Sequence, residues 1–405
     1  MALLPVNEAL ARILEGAAPR ASETVDLLVA AGRVLASELS AKLTQPPFDA
    51  SAMDGYAVRD VDVARLPVSL IVVGEAAAGR GFGGRVGAGE AVRIFTGAPL
   101  PSGANAIVIQ ENVTRDGDRI TVTDGTTDAG HVRAKGGDFA DGDVLLVRGR
   151  RLDARALTLA AAMGHARLEV YRKPVVAILA TGDELVPPGT PPGPDQIVSS
   201  NPIGLAAMVS AAGGEPRLLG IAADRPEDLA AKIRAGADAD ILVTIGGASI
   251  GDHDLVAPAL RSAGVLLDFW KIAMRPGKPM MFGRKGGNEG VQRVLGLPGN
   301  PVSSLICGRV FLMPLVARLA GRADDVAQAA MLPLAVAIEA NGPRQHYMRA
   351  RREITADGGW CVRPAASQDS SLMSPLADAD CLIVRTSGAT AAEAGTHVAI
   401  LDLDF

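Results

Sequence analysis

The stretch PFDASAMDGYAVR, residues 47–59, holds two carboxylates, Asp49 and Asp54, among residues too small and too turn-prone to be core. Asp54-Gly55-Tyr56 reads as a tight turn, with Gly supplying positive φ and Asp capping it. Acids placed this way either close turns or act on an anion through a bound cation. Three apolar runs further along end in loops suited to anions. PVVAILAT leads into Gly182-Asp183-Glu184, DILVT into IGGASIGDHD (245–254), and VLGL into Pro298-Gly299-Asn300-Pro301-Val302-Ser303-Ser304. In the second loop Gly246, Gly247 and Gly251 let backbone N–H groups approach a phosphate and Ser249 adds a hydroxyl; a plain turn reads equally well. In the third, Asn300 caps a helix opening at Pro301, whose free N–H groups, with Ser303 in the first turn, face outward. An ordinary capped helix gives the same pattern. WKIAMRPGKP between them carries Lys271, Arg275 and Lys278, either a solvated basic face or the wall of a site for a phosphorylated ligand; its place beside two anion-friendly loops favours the site. Glu184, Asp224 and Asp254 add acids to the same rim, as helix caps or as base and metal positions, since Mg²⁺ takes one or two carboxylates plus phosphate oxygens. The scattered histidines give no zinc spacing, and only His253 lies inside one of these loops.

These residues need elements to hold them. With 405 residues, the chain exceeds the about 250–300 that one core accommodates, so several domains are expected. Hydrophobic residues make up 48% and aromatics 3%, which implies cores of Ala, Val, Leu and Ile. A net charge of −5 argues against nucleic acid as a partner. The three cysteines have no metal spacing and read as reduced thiols of a cytoplasmic protein. MALLPVNEALARILEGAAPR lacks the basic and apolar regions of a signal peptide; Asn7 with ALARIL reads as a capped amphipathic helix. No membrane span is expected.

Residues 1–46 with 139–173 read as a helical linking layer. It contains the strand ETVDL, a helix LLVAAGRVLASEL capped by Asp26, and a helix from Asp153 to Gly164; part of 1–22 is expected to pack on the α/β domain. Residues 47–138 read as a β-rich inserted domain of short apolar runs divided by Gly, Pro and Asp. Residues 174–327 alternate strands and helices, with an Asp224/Glu227 capping box, and predict a largely parallel, doubly wound sheet. Residues 328–405 read as a small C-terminal β-barrel. In such sheets ligands bind beyond the carboxyl ends of the strands, where all three loops fall.

Taken in order, PFDASAMDGYAV, RIFTGAPLPSGAN, VVAILATGDELV, GGASIGDHD, FWKIAMRPGKP and GLPGNPVSS resemble the MoeA family of molybdopterin molybdenumtransferases, to which the carboxyl-terminal part of gephyrin also belongs. The resemblance spans residues 5–405. It implies a multidomain protein with a MoaB/MogA-like α/β domain, forming a homodimer with a shared active site. It further implies insertion of molybdate into adenylylated molybdopterin with release of AMP, assisted by Mg²⁺. By motif, Asp54, Thr96, Arg133, Glu184, Asp224, Asp254, Lys271, Arg275, Pro298, Pro301, Arg349 and Ser370 match positions the family uses. Asp54, Glu184, Asp254 and Thr96 are expected in turnover, Glu184, Asp224 and Asp254 at the metal, and the rest in substrate binding. Asp54 would reach the cleft from the neighbouring chain, while Asp49 stays a turn or cap. Arg275 stands where the family often has Lys, Ile245 where Ser is frequent, and GPRQHYMRAR departs from the usual pattern. Two alternatives are a molybdopterin adenylyltransferase, which lacks the two β domains, and a gephyrin-like scaffold. An adenylyltransferase and acceptor molybdoenzymes are the protein partners implied.

Overall fold

A computed structural model describes residues 3–124, 128–247, 255–287, 290–322 and 330–403. Ser249, Gly251, His253 and Asp254 fall outside the described residues. Its centre is a six-stranded sheet in the order Glu215–Ala222, Val175–Thr181, Ile241–Ile245, Gly290–Leu297, Pro279–Gly287, Leu266–Lys271. The first four strands are parallel, Pro279–Gly287 runs against them, and Leu266–Lys271 runs with them again. Val175–Thr181 and Ile241–Ile245 are continuous apolar runs because both faces are covered. Alternate residues serve opposite layers. Val176 and Ile178 pack with Leu205, Met208 and Ile306, while Ala177 and Leu179 pack with Leu229, Ile233 and Leu260. Val6, Ala9 and Ile13 of the helix Val6–Leu14 join the first layer, so the chain start completes the α/β core. The helix Pro301–Leu319 is long and apolar enough to cross a membrane, yet 78% of it is buried inside the fold; it is a core helix.

The linking segments differ from expectation. Ser22–Asp26 pairs antiparallel with Arg167–Tyr171, and Leu39–Ser40 with Val144–Leu146. Between them LLVAAGRVLASEL is not a helix. Only Leu27–Ala30 forms a 3₁₀ turn, Gly32 reverses the chain at φ 73°, and Val34 and Leu35 bridge to Arg151 and Val170. Burial of Leu35 among Leu152, Leu168 and Val170 outweighs helix propensity here. Asp26 makes no cap bond and pairs instead with Arg167. The layer is therefore ribbon plus the one helix Ala154–Ala162, which Asp153 does cap, accepting from the Ala156 N–H at 2.8 Å.

Two other caps fall elsewhere, one of them where proline at the first helical position presets the φ. Pro5, not Asn7, precedes the first helix. Pro226 opens the helix Pro226–Ala235, and the Asp224/Glu227 box does not form; Asp228 accepts from the Ala223 N–H at 2.8 Å instead.

The insert is a six-stranded sheet, Ala106–Ile109, Gly55–Val58, Glu90–Ile94, Val68–Ala76, Arg119–Val122, Val113–Asp116. Gly55 thus opens a strand rather than sitting at positive φ in a turn. It is glycine because a Cβ there would lie 2.1 Å from the Val108 carbonyl oxygen. In the last unit Gln345–Ile354, Cys381–Arg385, His397–Asp402 and Ala330–Pro333 pair in that order, and Trp360–Pro364 flanks Gln345–Ile354. A bridge from Leu334 to Val362 curls this sheet into a small barrel-like shell. Met274–Arg275 of the α/β unit adds to it in parallel, against Gln345–His346.

Gly55→Ala pushes side-chain carbon into backbone that has nowhere to yield. Urea unfolding is expected to show a loss of about 1–3 kcal/mol, with a local distortion beside Asp54.

Candidate functional site

Three strand-end loops meet with backbone against backbone. Gly246 has φ 95°, and a Cβ on it would fall 2.8 Å from the Thr181 carbonyl oxygen and 2.9 Å from the Thr181 hydroxyl. Its N–H donates to the Leu297 carbonyl at 3.1 Å, and Gly299 packs on its other side, a Cβ there lying 3.6 Å from the Gly246 Cα. Asn201 ties this corner to the next helix, its side-chain N–H donating to the Gly299 carbonyl at 2.8 Å. The fold therefore gathers Gly246, Gly247, Pro298, Asn300, Pro301 and Ser303 at one end of the parallel strands, as the sequence reading required.

The Pro301 helix begins here, but Asn300 caps it by its backbone alone. The Asn300 carbonyl accepts from the Ser304 N–H at 2.9 Å, while the side chain makes no cap bond. Among the described residues, Asn300 Oδ1 and Ser304 Oγ are buried without partners. A buried polar atom left unpaired costs about 1–3 kcal/mol, so these groups, with the free N–H groups of the first turn, suit a polar ligand.

The acids form a rim. Asp183 Oδ1 accepts from the Asp224 N–H at 3.1 Å, and the Gly182 N–H donates to the Ala222 carbonyl at 3.1 Å. Glu184 folds back over Gly182, where a Cβ would lie 2.3 Å from Glu184 Oε2. Since Asp224 does not cap its helix, its exposed carboxylate is left for the rim. Among the described residues no group of three His, Cys, Asp or Glu forms a ready metal cage. Hard oxygen donors in ones and twos suit a Mg²⁺ that completes its shell with phosphate and water.

A basic segment lies at the other edge of the sheet. Lys271, Arg275 and Lys278 are all exposed, on a segment held by the Ile272 N–H donating to the Lys278 carbonyl at 3.1 Å. Arg275 lies beside His346 in the sheet, and His346 beside Arg385. Burial, then Arg275, Arg344, Arg349 and Arg385, push the His346 imidazole down to about 4. The sequence reading missed Arg344, His346 and Arg385; GPRQHYMRAR departs from the family pattern there, and only cross-strand register shows what these residues face.

Arg349 is a correction. It is 1% exposed, and its guanidinium donates to the carbonyls of Leu372 at 2.7 Å, Ser367 at 3.0 Å and Asp369 at 2.9 Å. A guanidinium so committed is no free clamp for an anion. It shapes the loop that carries Ser370, and that loop meets the α/β unit where the Ser200 hydroxyl lies 3.8 Å from Met373 Sδ, next to Asn201.

Asp54 and Thr96 meet on the insert, which also carries Arg133. Asp54 Oδ1 accepts from both the Thr96 N–H and the Thr96 hydroxyl, each at 2.8 Å. These bonds, backbone first, hold the Asp54 carboxyl below its ordinary range, so it stays ionised. Nearby Arg93 stacks over Tyr56 and Phe95, 5.2 and 4.7 Å from the ring centres. Arg133 pairs with Ala50, and Asp49 accepts from the Lys135 N–H at 2.8 Å, a structural role. Among the described residues no hydrogen bond or ion pair joins 47–138 to 174–327.

Two outcomes are expected. Arg349→Met strips three carbonyls of their donor and lowers stability by about 3 kcal/mol or more, with faster limited proteolysis within 367–373. The folded-state pKa of His346 lies below its ordinary 6.5, so the unfolded chain takes up the extra proton and stability falls as pH drops from 6.5 towards 4. Thermal melts across that window should show a smaller acid loss in His346→Gln than in the wild type.

Comparison with known proteins agrees along the whole chain. Residues 4–164 match the MoeA N-terminal region (domain I and II), 177–318 a probable molybdopterin binding domain, and 331–403 the MoeA C-terminal region (domain IV). A molybdopterin molybdenumtransferase of a Nostoc species is 37% identical, with 94% of this chain and 89% of that protein aligned. One from Haemophilus influenzae is 34% identical over 98% of each. The crystal structure of the molybdopterin biosynthesis MoeA protein from Pyrococcus horikosii superposes with a TM-score of 0.82 at 30% identity, covering 100% of both chains.

Proposed function

Because the chain belongs to the MoeA family, a family of molybdopterin molybdenumtransferases, we propose that it inserts molybdenum into molybdopterin using molybdate and the adenylylated form of the pterin, with release of AMP. It is a transferase of molybdenum cofactor biosynthesis. The observation that carries the finer reading is the meeting of Gly246, Gly299 and the Pro301 helix start at one end of the parallel strands, with Lys271, Arg275 and Lys278 exposed at and beyond the end of the edge strand Leu266–Lys271.

Each group has a task. The first-turn amides, the Gly246–Gly247 backbone, Lys271 and Lys278 hold the pyrophosphate and its charge, and molybdate docks beside Arg275. Asn300 and Ser304 offer their unpaired atoms to polar edges of the pterin. Water attacks the adenylyl phosphorus, the bond to the pterin phosphate oxygen breaks, and AMP leaves with the new P–O bond. The dithiolene sulfurs bind molybdenum, and their two thiol protons depart with one oxo group as water. Glu184 and Asp224, with Asp254, would hold Mg²⁺, which neutralises pyrophosphate charge when bound.

Asp54 is read as an acid supplied by the partner subunit of a homodimer. In support, it is ionised and held by Thr96, and within one chain the insert makes no described hydrogen bond to the α/β unit. The two β units count against an adenylyltransferase, and a peptide scaffold does not need a crevice lined by cations. The protein is placed in the cytoplasm, in keeping with its buried free thiols; its expected protein partners are the adenylyltransferase upstream and acceptor molybdoenzymes downstream.

The test is an assay of the purified protein with adenylylated molybdopterin, molybdate and Mg²⁺, following AMP and the molybdenum product. Absence of both sinks the reading. Asp54→Ala is expected to keep the fold and lose turnover. Mixing Asp54→Ala with Lys271→Ala subunits should restore part of the activity; no restoration removes the shared site.

A further inference from the structure

A row of three side chains crosses adjacent strands: Arg275 beside His346, and His346 beside Arg385. Directly opposed residues project to the same face, where like charges repel. His346 is 8% exposed and Arg385 6%, so little water reaches them. Among the described residues the His346 ring makes no hydrogen bond, its nitrogens not being sealed from solvent, while Arg385 Nε is buried without a partner. Arg385 spends another N–H on the Thr390 and Glu339 carbonyls. The charged groups around the imidazole are Arg275, Arg344, Arg349 and Arg385, with no carboxylate among the described residues. With the Arg349 guanidinium already committed to carbonyls, Arg275, Arg344 and Arg385 around a largely buried imidazole are the complement of a small, highly charged oxyanion.

We propose that His346, between Arg275 and Arg385, is a specificity residue that takes up a proton when a tetrahedral dianion binds. The proposal rests on the reading that molybdate docks beside Arg275. Alone, the imidazole is neutral because burial and the arginines disfavour its charge. A dianion cancels that repulsion, and the protonated ring then donates from both nitrogens. Linkage is reciprocal: if the anion favours the proton, the proton favours the anion. Affinity should therefore strengthen on acidification, by at most about tenfold per pH unit for one proton.

The experiment is calorimetric titration of the full-length protein with sodium molybdate at pH 6 to 8, in buffers of different ionisation heat. Sodium sulfate, which does not protonate in this range, is the second probe. The wild type should take up between zero and one proton per anion, more at pH 6 than at pH 8. His346→Gln should take up none and bind about tenfold more weakly at pH 6, converging with the wild type at pH 8. If that variant does not fold, NMR titration of the wild-type His346 decides, with its pKa rising on adding either anion. Binding without proton uptake, uptake unchanged in the variant, or no pKa rise overturns the role of His346 and leaves the transferase reading standing. Failure of AMP release with intact proton-linked binding overturns the transferase reading alone. No binding of either anion overturns this proposal and the molybdate position together.

Discussion

Backbone packed on backbone at Gly246 is the constraint from which the site follows, because three loops from three different strands converge only where no side chain intervenes. The Thr181 carbonyl and hydroxyl, the Gly246 Cα and Gly299 occupy one small volume. The strands bring them there in register: Ala180 pairs with Ile245, and Ile245 with Leu297. The Pro301 helix is aimed by the same contact, since Asn201 grips the Gly299 carbonyl and the helix buries Val302 and Ile306 in the core shared with Ile178 and Leu205. The helix start is thus held by core packing, and its unpaired polar groups are presented without being free to turn away.

Charge is sorted around that point. Asp183, Glu184 and Asp224 follow strands at one side of the sheet, and Lys271, Arg275 and Lys278 follow strands at the other. The separation comes from strand order, since residues distant in the chain lie on neighbouring or opposite strands. The small barrel extends the basic segment, because Met274–Arg275 is at once the end of an α/β connection and an added strand of the last sheet. Arg349 then serves from inside, holding the 367–372 carbonyls so that their loop meets Ser200.

The insert follows a different logic. Its sheet has its own core of Tyr56, Val58, Leu70 and Val108, and its functional acid is fixed locally by Thr96. A unit that carries an ionised carboxylate on its own scaffold can deliver it to another molecule as readily as to its own chain. That modularity is what makes a shared site physically reasonable.

The amino-acid order by itself determined what depends on neighbours in the chain: buried strands such as VVAILAT and ILVTI, the Asp153 cap, the loops ending each strand, and the six motifs that mark the family. Those signals are local, set by apolar runs, turn residues and short spacings. Where local signals competed with pairing, they lost: LLVAAGRVLASEL has a helix-former's composition, yet Leu35 is worth more buried beside Val170. Only the tertiary structure decided that Arg349 is a strut, that Asp224 is spared from capping, and that His346 sits in a row of arginines. Each of these is a matter of burial and cross-strand register, which arise from contacts far apart in the chain and leave no trace in a short window of sequence.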